Sequence, residues 1–250
     1  MTLSKEWIIG KNTVIEALQS QHSIEKVYMA DHIQPAFVKK VKAFTKQSNT
    51  TLQQVPKKKL DQMVSGNHQG IAALVSAYEY ADVEDLLVRA REKNEAPFFL
   101  ILDEIEDPHN LGSILRTADA TGVHGVIIPK RRSVGLTATV AKTSVGAIEH
   151  VPVARVTNIR QTIEQLKEEG VWVVGTAATA SEDYRHLDGE LPLALVIGNE
   201  GKGVSQLVLK TCDWTVQIPL HGHVSSLNAS VASSLLMYEV YRNRYPVGES

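Results

Sequence analysis

The sequence predicts an α/β protein in two parts: a small α/β unit over residues 1–76 and a larger one over 97–250, built on a mostly parallel sheet. Three observations predict it. Short apolar stretches alternate with helical patterns along all 250 residues. In the second part the stretches "FFLIL", "VWVVG" and "LALVIG" are apolar at consecutive positions, as strands buried on both faces of a parallel sheet must be. A charged stretch ending in Pro97, "EYADVEDLLVRAREKNEAP", separates the two series.

In the first part, "TVIEALQS", "PAFVKKVKAFTKQS" and "KKLDQMVS" have helical patterns, while "IEKVYMA", "TTLQQV" and "GIAALVSAY" have strand patterns. Residues 77–96 read as a linker whose middle can be helical, with Asp82 as N-cap. Strands are then expected over 98–103, 124–128, 151–156, 171–176, 193–197 and 214–218. Helices are expected over 110–121, 137–146, 158–169, 204–211 and 226–243. In the last helix Leu227, Val231, Leu235 and Tyr238 form an apolar face. Ser225, Ser226, Ser230, Ser233 and Ser234 crowd the same segment, where an ordinary surface helix carries Lys and Glu.

Composition excludes several classes. Apolar residues make up 43% and charged residues 22%, an ordinary globular balance. Apolar runs are too short to span a membrane, and "MTLSKEWIIGKN" lacks a secretory signal, so a cytoplasmic protein is expected. With one cysteine, Cys212, no intramolecular disulfide can form. Charge is uneven. Residues 1–76 hold ten Lys against five acids, a balance of +5; residues 77–250 hold sixteen Lys and Arg against twenty-three acids, a balance of −7. Lys39, Lys40, Lys42, Lys57, Lys58 and Lys59 supply most of the basic part. They are either RNA-phosphate contacts or the solvated faces of two helices.

After the first long strand the chain reads "LDEIEDPHNLGS", without the glycine fingerprint of a dinucleotide site, which argues against an NAD-dependent oxidoreductase. "GNEGKGVS" places its lysine before the last glycine and is not a P-loop. His221 and His223 have no Cys or acidic cluster spaced to join them, so no metal is expected. Three segments remain, each following a predicted strand, at the sheet edge where open α/β sheets bind ligands. "DPHNLGSILRTADATGV" offers Asn110 as a helix cap and Arg116 six residues on. "LVIGNEGKGVS" places Glu200 on a tight turn. "IPLHGHVSSLNASVASSL" runs through a glycine turn into the last helix.

Taken in order, Asn110-x-Gly112-x-x-x-Arg116, then Ile197 to Gly203, then Ile218 to Ser230 resemble the three motifs of the SpoU/TrmH ribose 2′-O-methyltransferases of the SPOUT superfamily. "GKNTVIEAL" and "HQGIAALV" resemble the N-terminal domain of the subgroup containing the bacterial 23S rRNA guanosine-2′-O-methyltransferases. The resemblance implies a deep trefoil knot in the C-terminal domain, an L30e-like substrate-binding domain, S-adenosylmethionine as cofactor and a homodimer. It places Asn110, Arg116, Glu200, Ser226 and Asn228 at the catalytic site. Thr176, Gly198, Ile218, Leu220 and Leu227 fall at cofactor-pocket positions. The small-residue helix then fits a helix leaving a knot and packing on a partner, where backbones approach closely and hydroxyls satisfy nearby carbonyls. A guanosine of 23S rRNA is the expected target. A tRNA methyltransferase and a catalytically silent RNA-binding protein are the alternatives.

Overall fold

The computed structural model describes residues 7–19, 24–48, 50–75 and 78–248. The chain divides into two compact units, Met1–Glu79 with Gly135–Ala138, and Tyr80–Val134 with Thr139–Ser250.

In the first unit a four-stranded sheet has the order β1-β4-β2-β3, from β1 (Trp7–Ile9), β2 (Ile24–Ala30), β3 (Thr51–Val55) and β4 (Ile71–Val75). β2 and β3 are parallel, while β4 runs antiparallel to β1 and β2. Alternation along the strands divides the core in two. Val27, Met29, Ile71 and Ala73 face α1 (Lys11–Gln19) and α2 (Pro35–Gln47), whose Val14, Leu18 and Val41 cover them. Ala30, Val55 and Ala72 face the other way, against Leu60 and Met63 of α3 (Lys57–Met63). Lys39, Lys40 and Lys42 are exposed on α2, and Lys57, Lys58 and Lys59 on α3. The two basic clusters therefore occupy opposite layers of this unit and do not form one patch.

In the second unit seven strands among the described residues form a sheet of order β7-β6-β5-β10-β8-β11-β9, with every pairing parallel. They are β5 (Phe98–Asp103), β6 (Gly125–Pro129), β7 (Val153–Val156), β8 (Trp172–Thr176), β9 (Glu182–Asp183), β10 (Leu193–Gly198) and β11 (Trp214–Gln217). All six residues of β5 are buried, as its apolar run predicts. The chain fills β5, β6 and β7 in one direction and crosses to β8. It then returns to insert β10 between β5 and β8. The direction of winding reverses between β5 and β10, so their carboxyl ends flank a crevice suited to a ligand.

The segment expected as a linker lies within this unit. It holds α4 (Val83–Glu92), whose Val83, Leu86 and Leu87 enter the core beside Phe99, Ile101 and Ile127. A Cβ on Gly125 would overlap the Leu86 side chain, so α4 packs directly on β6. The helix is amphipathic and closed by an Asp82–Asp85 capping box.

The last helix also differs from its expected form. α9 spans Ala229–Arg244, beginning after Asn228 rather than at 226. Its buried side chains are Ala229, Ser233, Leu236, Met237, Glu239 and Val240, while Val231, Leu235 and Tyr238 are exposed. The expected apolar stripe faces outward, and the inward face combines the small Ala229 and Ser233 with Leu236, Met237 and Val240. Ser233 donates to the Ala229 carbonyl at 2.7 Å and Ser234 to the Ser230 carbonyl at 2.8 Å. Ser234 also meets Thr117 of the neighbouring helix α5 (Pro108–Ala120) at 3.1 Å. Hydroxyls bonded back to carbonyls leave room for close helix approach.

The amino edge of this sheet is closed by Arg244 and His124. The Arg244 guanidinium donates to the carbonyls of Gly189 (2.6 Å), Ala96 (2.7 Å), Leu191 (3.1 Å) and Pro97 (3.3 Å), and lies over the Phe98 ring. His124 is fully buried. Its Nδ1 accepts from the Phe98 N–H at 3.1 Å, which leaves Nε2–H to donate to Glu95 at 3.0 Å.

Burial lowers the His124 value from 6.5, only partly offset by Glu95. The unfolded chain therefore binds a proton near pH 6.5 that the native chain resists. This contribution is complete above about pH 6.5 and is lost as pH falls towards the native value. Urea midpoints should thus fall between pH 7.5 and 5.5. His124→Gln, which keeps an acceptor for Phe98, should shrink that fall, and an equal fall in the variant would refute the assignment.

Candidate functional site

The crevice is built from three loops at the carboxyl ends of the strands. The first follows β5. Asp107 caps α5 by accepting from the His109 N–H at 2.8 Å, with Pro108 at the first helical position. Asn110, expected to be the cap, is instead freed to point across the crevice. It is buried, on the first turn of α5. Gly112 of the same motif serves packing: a Cβ there would strike Thr143 of α6 (Ala138–Ser144) and press on the Val140 carbonyl.

The second loop follows β10. At Gly198 a Cβ would run into the Gly203 carbonyl carbon and the Val204 nitrogen, so the loop folds back on the strand end. The Gly203 N–H donates to the Asn199 carbonyl at 2.7 Å, and Gly203 has φ +68, which glycine adopts readily. Asn199 Nδ2 donates to the Glu104 carbonyl at 3.2 Å, and the buried Asp103 carboxylate accepts from the Ser205 N–H at 2.9 Å. Asp103 and Glu104 thus fix this loop. Neither stands out by spacing, although an acid ending an apolar strand is a sequence signal for such a role.

The third loop leads from β11 into α9. Asn228 is the N-cap: its Oδ1 accepts from the Ser230 N–H at 3.0 Å and the Val231 N–H at 3.3 Å. That fixes its Nδ2, which donates to Asn110 Oδ1 at 2.9 Å and to Glu200 Oε1. Glu200 Oε1 also accepts from Asn110 Nδ2 at 2.8 Å and from the Ala229 N–H at 3.2 Å. Asn110, Glu200 and Asn228, 118 positions apart at the extremes, form one hydrogen-bonded triangle. Its carboxylate sits at the amino end of α9, where the helix dipole favours negative charge.

Beside the triangle lies a cavity of about 440 Å³. All five residues expected at the cofactor pocket, Thr176, Gly198, Ile218, Leu220 and Leu227, line it, together with Glu200 and Ser226. Thr176 is fixed by donating to the Val196 carbonyl at 2.9 Å. Ser226 is exposed on the cavity wall, outside the triangle. Arg116 is also outside it. It is exposed on α5 and makes no hydrogen bond or ion pair among the described residues. Six residues turn a helix by about 600°, so Arg116 leaves α5 on a different side from Asn110.

The Cys212 thiol is pushed up to about 12 by burial, which makes it a packing residue and not a nucleophile. Among the described residues no group of three or more His, Cys, Asp or Glu is placed to hold a metal ion. No helix there is long and apolar enough to cross a membrane.

Sheet, cavity and triangle define an α/β protein with a ligand cleft at the switch point of a parallel sheet. The chain belongs to the SpoU rRNA methylase family, whose model matches residues 97–238. A second family model, RNA 2′-O ribose methyltransferase substrate binding, matches residues 7–81. YacO of Bacillus subtilis (strain 168), assigned to the TrmH family of tRNA/rRNA methyltransferases, is 60% identical over 249 residues and 100% of both chains. An AdoMet-bound rRNA methyltransferase from Sinorhizobium meliloti superposes with TM-score 0.61 and 26% identity, over 96% of this chain and 87% of that one. The A. aeolicus TrmH/SpoU tRNA modifying enzyme gives TM-score 0.54 and 30% identity, over 64% of this chain and 83% of its own.

Glu200→Ala would remove the acceptor shared by two amides and one main-chain N–H; because Glu200 and Asn228 are exposed and water replaces part of the bonding, the loss in urea unfolding should be about 0.5–1.5 kcal/mol. Because Asn110 acts through the same oxygen, Glu200→Ala and Asn110→Ala should be sub-additive by at least ~0.5 kcal/mol in a double-mutant cycle. Strict additivity would mean the triangle is not a unit.

Proposed function

We propose that this chain transfers a methyl group from S-adenosylmethionine to a ribose 2′-OH of RNA, and that the RNA is 23S rRNA with a guanosine as target. The carrying observation is the Asn110–Glu200–Asn228 triangle at the mouth of the 440 Å³ cavity. The cavity suits the cofactor: Ile197, Val216, Ile218, Leu220 and Leu227 offer apolar walls for an adenine, and Gly198 lines it where the Gly203–Val204 backbone folds back on the strand end. When bound, S-adenosylmethionine would supply an electrophilic methyl group to the ribose 2′-oxygen, with the hydroxyl proton released to solvent and S-adenosylhomocysteine as the product. The triangle holds the α5 and α9 ends in register with the cavity, so that the incoming ribose is oriented in line.

We assign both Arg116, exposed on α5, and Ser226, on the cavity wall, to the RNA phosphate. A guanidinium holds its proton in proteins, which favours a clamp over a general base. For the assembly we propose a homodimer. Val231 (48% exposed), Leu235 (38%) and Tyr238 (52%) form an outward apolar stripe on α9 that a second copy would cover. For topology we propose the trefoil knot, with β10 inserted late between β5 and β8 and α9 returning to α5. Residues 1–79 serve as the RNA-binding part and the rest as the methyltransferase, working in the cytoplasm where its RNA is. The rRNA reading is favoured because the S. meliloti rRNA enzyme aligns with 96% of this chain, the A. aeolicus tRNA enzyme with 64%.

Calorimetry with S-adenosylhomocysteine should show binding, and NAD should show none. Arg116→Ala should keep that affinity and lower methyl transfer by at least ~10²-fold. Arg116→Lys should be nearly as poor at every pH if the fork is what matters; partial rescue rising at high pH would make Arg116 a base. Mass mapping of 2′-O-methyl sites in rRNA and tRNA from a deletion strain identifies the target, and loss of a tRNA site alone would overturn the rRNA assignment. If the lysines touch RNA, reversing the α2 or the α3 cluster should lower the salt slope of RNA binding by somewhat under one unit per contact.

A further inference from the structure

The loop after β6 carries three consecutive cations, Lys130, Arg131 and Arg132. Arg155 of β7 lies beside it, donating to the Lys130 carbonyl at 3.4 Å, with its guanidinium 5.2 Å from the Tyr80 ring centre. Burial and then Arg155 push the Lys130 value down, with Asp82 acting in the opposite direction. Glu104 pairs with Arg132 at 2.6 Å. Arg131 is exposed and makes no ion pair among the described residues. Lys130, Arg131 and Arg132 thus make a run of three cations, one of them paired to Glu104, in a part of the chain that is acidic on balance. Like charges packed this way cost stability unless an anion joins them.

Position gives this run a use. β5, β6 and β10 lie parallel in one sheet, so the ends at Asp103, Pro129 and Gly198 share one edge. That edge carries the cavity and the triangle. Glu104 connects the two regions. Its carboxylate holds Arg132, and its carbonyl accepts from Asn199 in the loop that presents Glu200. Its φ of +61 lies in the left-handed region, which a glutamate rarely adopts.

We propose that Lys130, Arg131 and Arg132 bind backbone phosphates of the RNA substrate beside the nucleotide to be methylated, with Glu104 tying this loop to the Glu200 loop. The inference rests on the RNA methyltransferase reading. Arg131 meets phosphate with its whole fork, while Arg132 can keep one edge on Glu104 and offer the other. None of the three lines the cavity or joins the triangle.

The test uses the full chain and a mixed-sequence single-stranded RNA 20-mer, with binding measured from low to moderate salt. Arg131→Ser with Arg132→Ser should lower the salt slope by about 1.4, near 0.7 for each lost contact. S-adenosylhomocysteine affinity should not move. Arg131→Glu alone, at a side chain with no partner to lose, should lower RNA affinity several-fold even if the double variant folds poorly. Glu104→Gln keeps the carbonyl link and removes the competing carboxylate, so it should bind this RNA a few-fold more tightly. Wild-type binding with an unchanged slope in the double variant overturns this inference alone. A wild-type chain that binds S-adenosylhomocysteine but no RNA overturns the RNA reading with it.

Discussion

One carboxylate oxygen organises the site. Glu200 Oε1 receives the Asn110 amide from α5, the Asn228 amide from the α9 cap and the Ala229 N–H from the first turn of α9. Elements 90 and 28 positions away in sequence meet on that atom. The buried Asn110 amide and Ala229 N–H would lose their acceptor if Glu200 moved, which holds the arrangement together. The orientation of every amide follows: Asn228 Oδ1 caps the helix, so its Nδ2 must turn to Glu200, and Asn110 Oδ1 must then turn to Asn228.

Such convergence requires backbones to come unusually close, and that explains the small residues in the motifs. Gly198 admits the returning Val204, Gly112 admits α6, and Ser233 and Ser234 let α9 lie against α5. None of these positions supplies chemistry. They set distances for residues that do, and their spacing is as restrictive as that of the polar groups.

Much of this was legible in the sequence, for physical reasons that also mark the limits. The strands of the parallel sheet announce themselves because burial on both faces leaves no polar alternation, as in β5 and β10. Three-residue β1 and two-residue β9 carry no periodicity, and their pairings with β4 and β11 are long-range. Along α9, hydropathy selects Val231, Leu235 and Tyr238 as the inner face. The structure buries Ala229 and Ser233 together with Leu236, Met237 and Val240 instead, so the inner face is small where α9 begins and apolar further on. The helical nature of α4 was readable, its membership of the second core was not: that rests on long-range packing of Val83, Leu86 and Leu87 beside Phe99, Ile101 and Ile127, over the bare Gly125. Asn110, Glu200 and Asn228 were named from the motif resemblance, and hydrogen bonds join them. Arg116 and Ser226 were named with them and stand apart: Arg116 leaves α5 on another side from Asn110, and Ser226 lies on the cavity wall before α9 begins.

A parallel sheet aligns all its strand ends, which gives this unit two chemically distinct edges. At the amino edge, Arg244 is consumed by four main-chain carbonyls and His124 is held with Nδ1 as acceptor, so charge and hydrogen-bonding capacity are satisfied internally. At the carboxyl edge, Glu200 is solvent-exposed, Arg131 is unpaired among the described residues and the cavity opens between loops. The division follows from strand direction alone. A buried cation saturated by carbonyls can only stabilise, whereas a cation left with free donors at the edge can bind. The balance of −7 over residues 77–250 averages across both edges and conceals the basic loop beside the site. For recognition of a polyanion, the charge presented at one edge outweighs the sum over the domain, because screening limits each charge to its neighbourhood of about 8–10 Å.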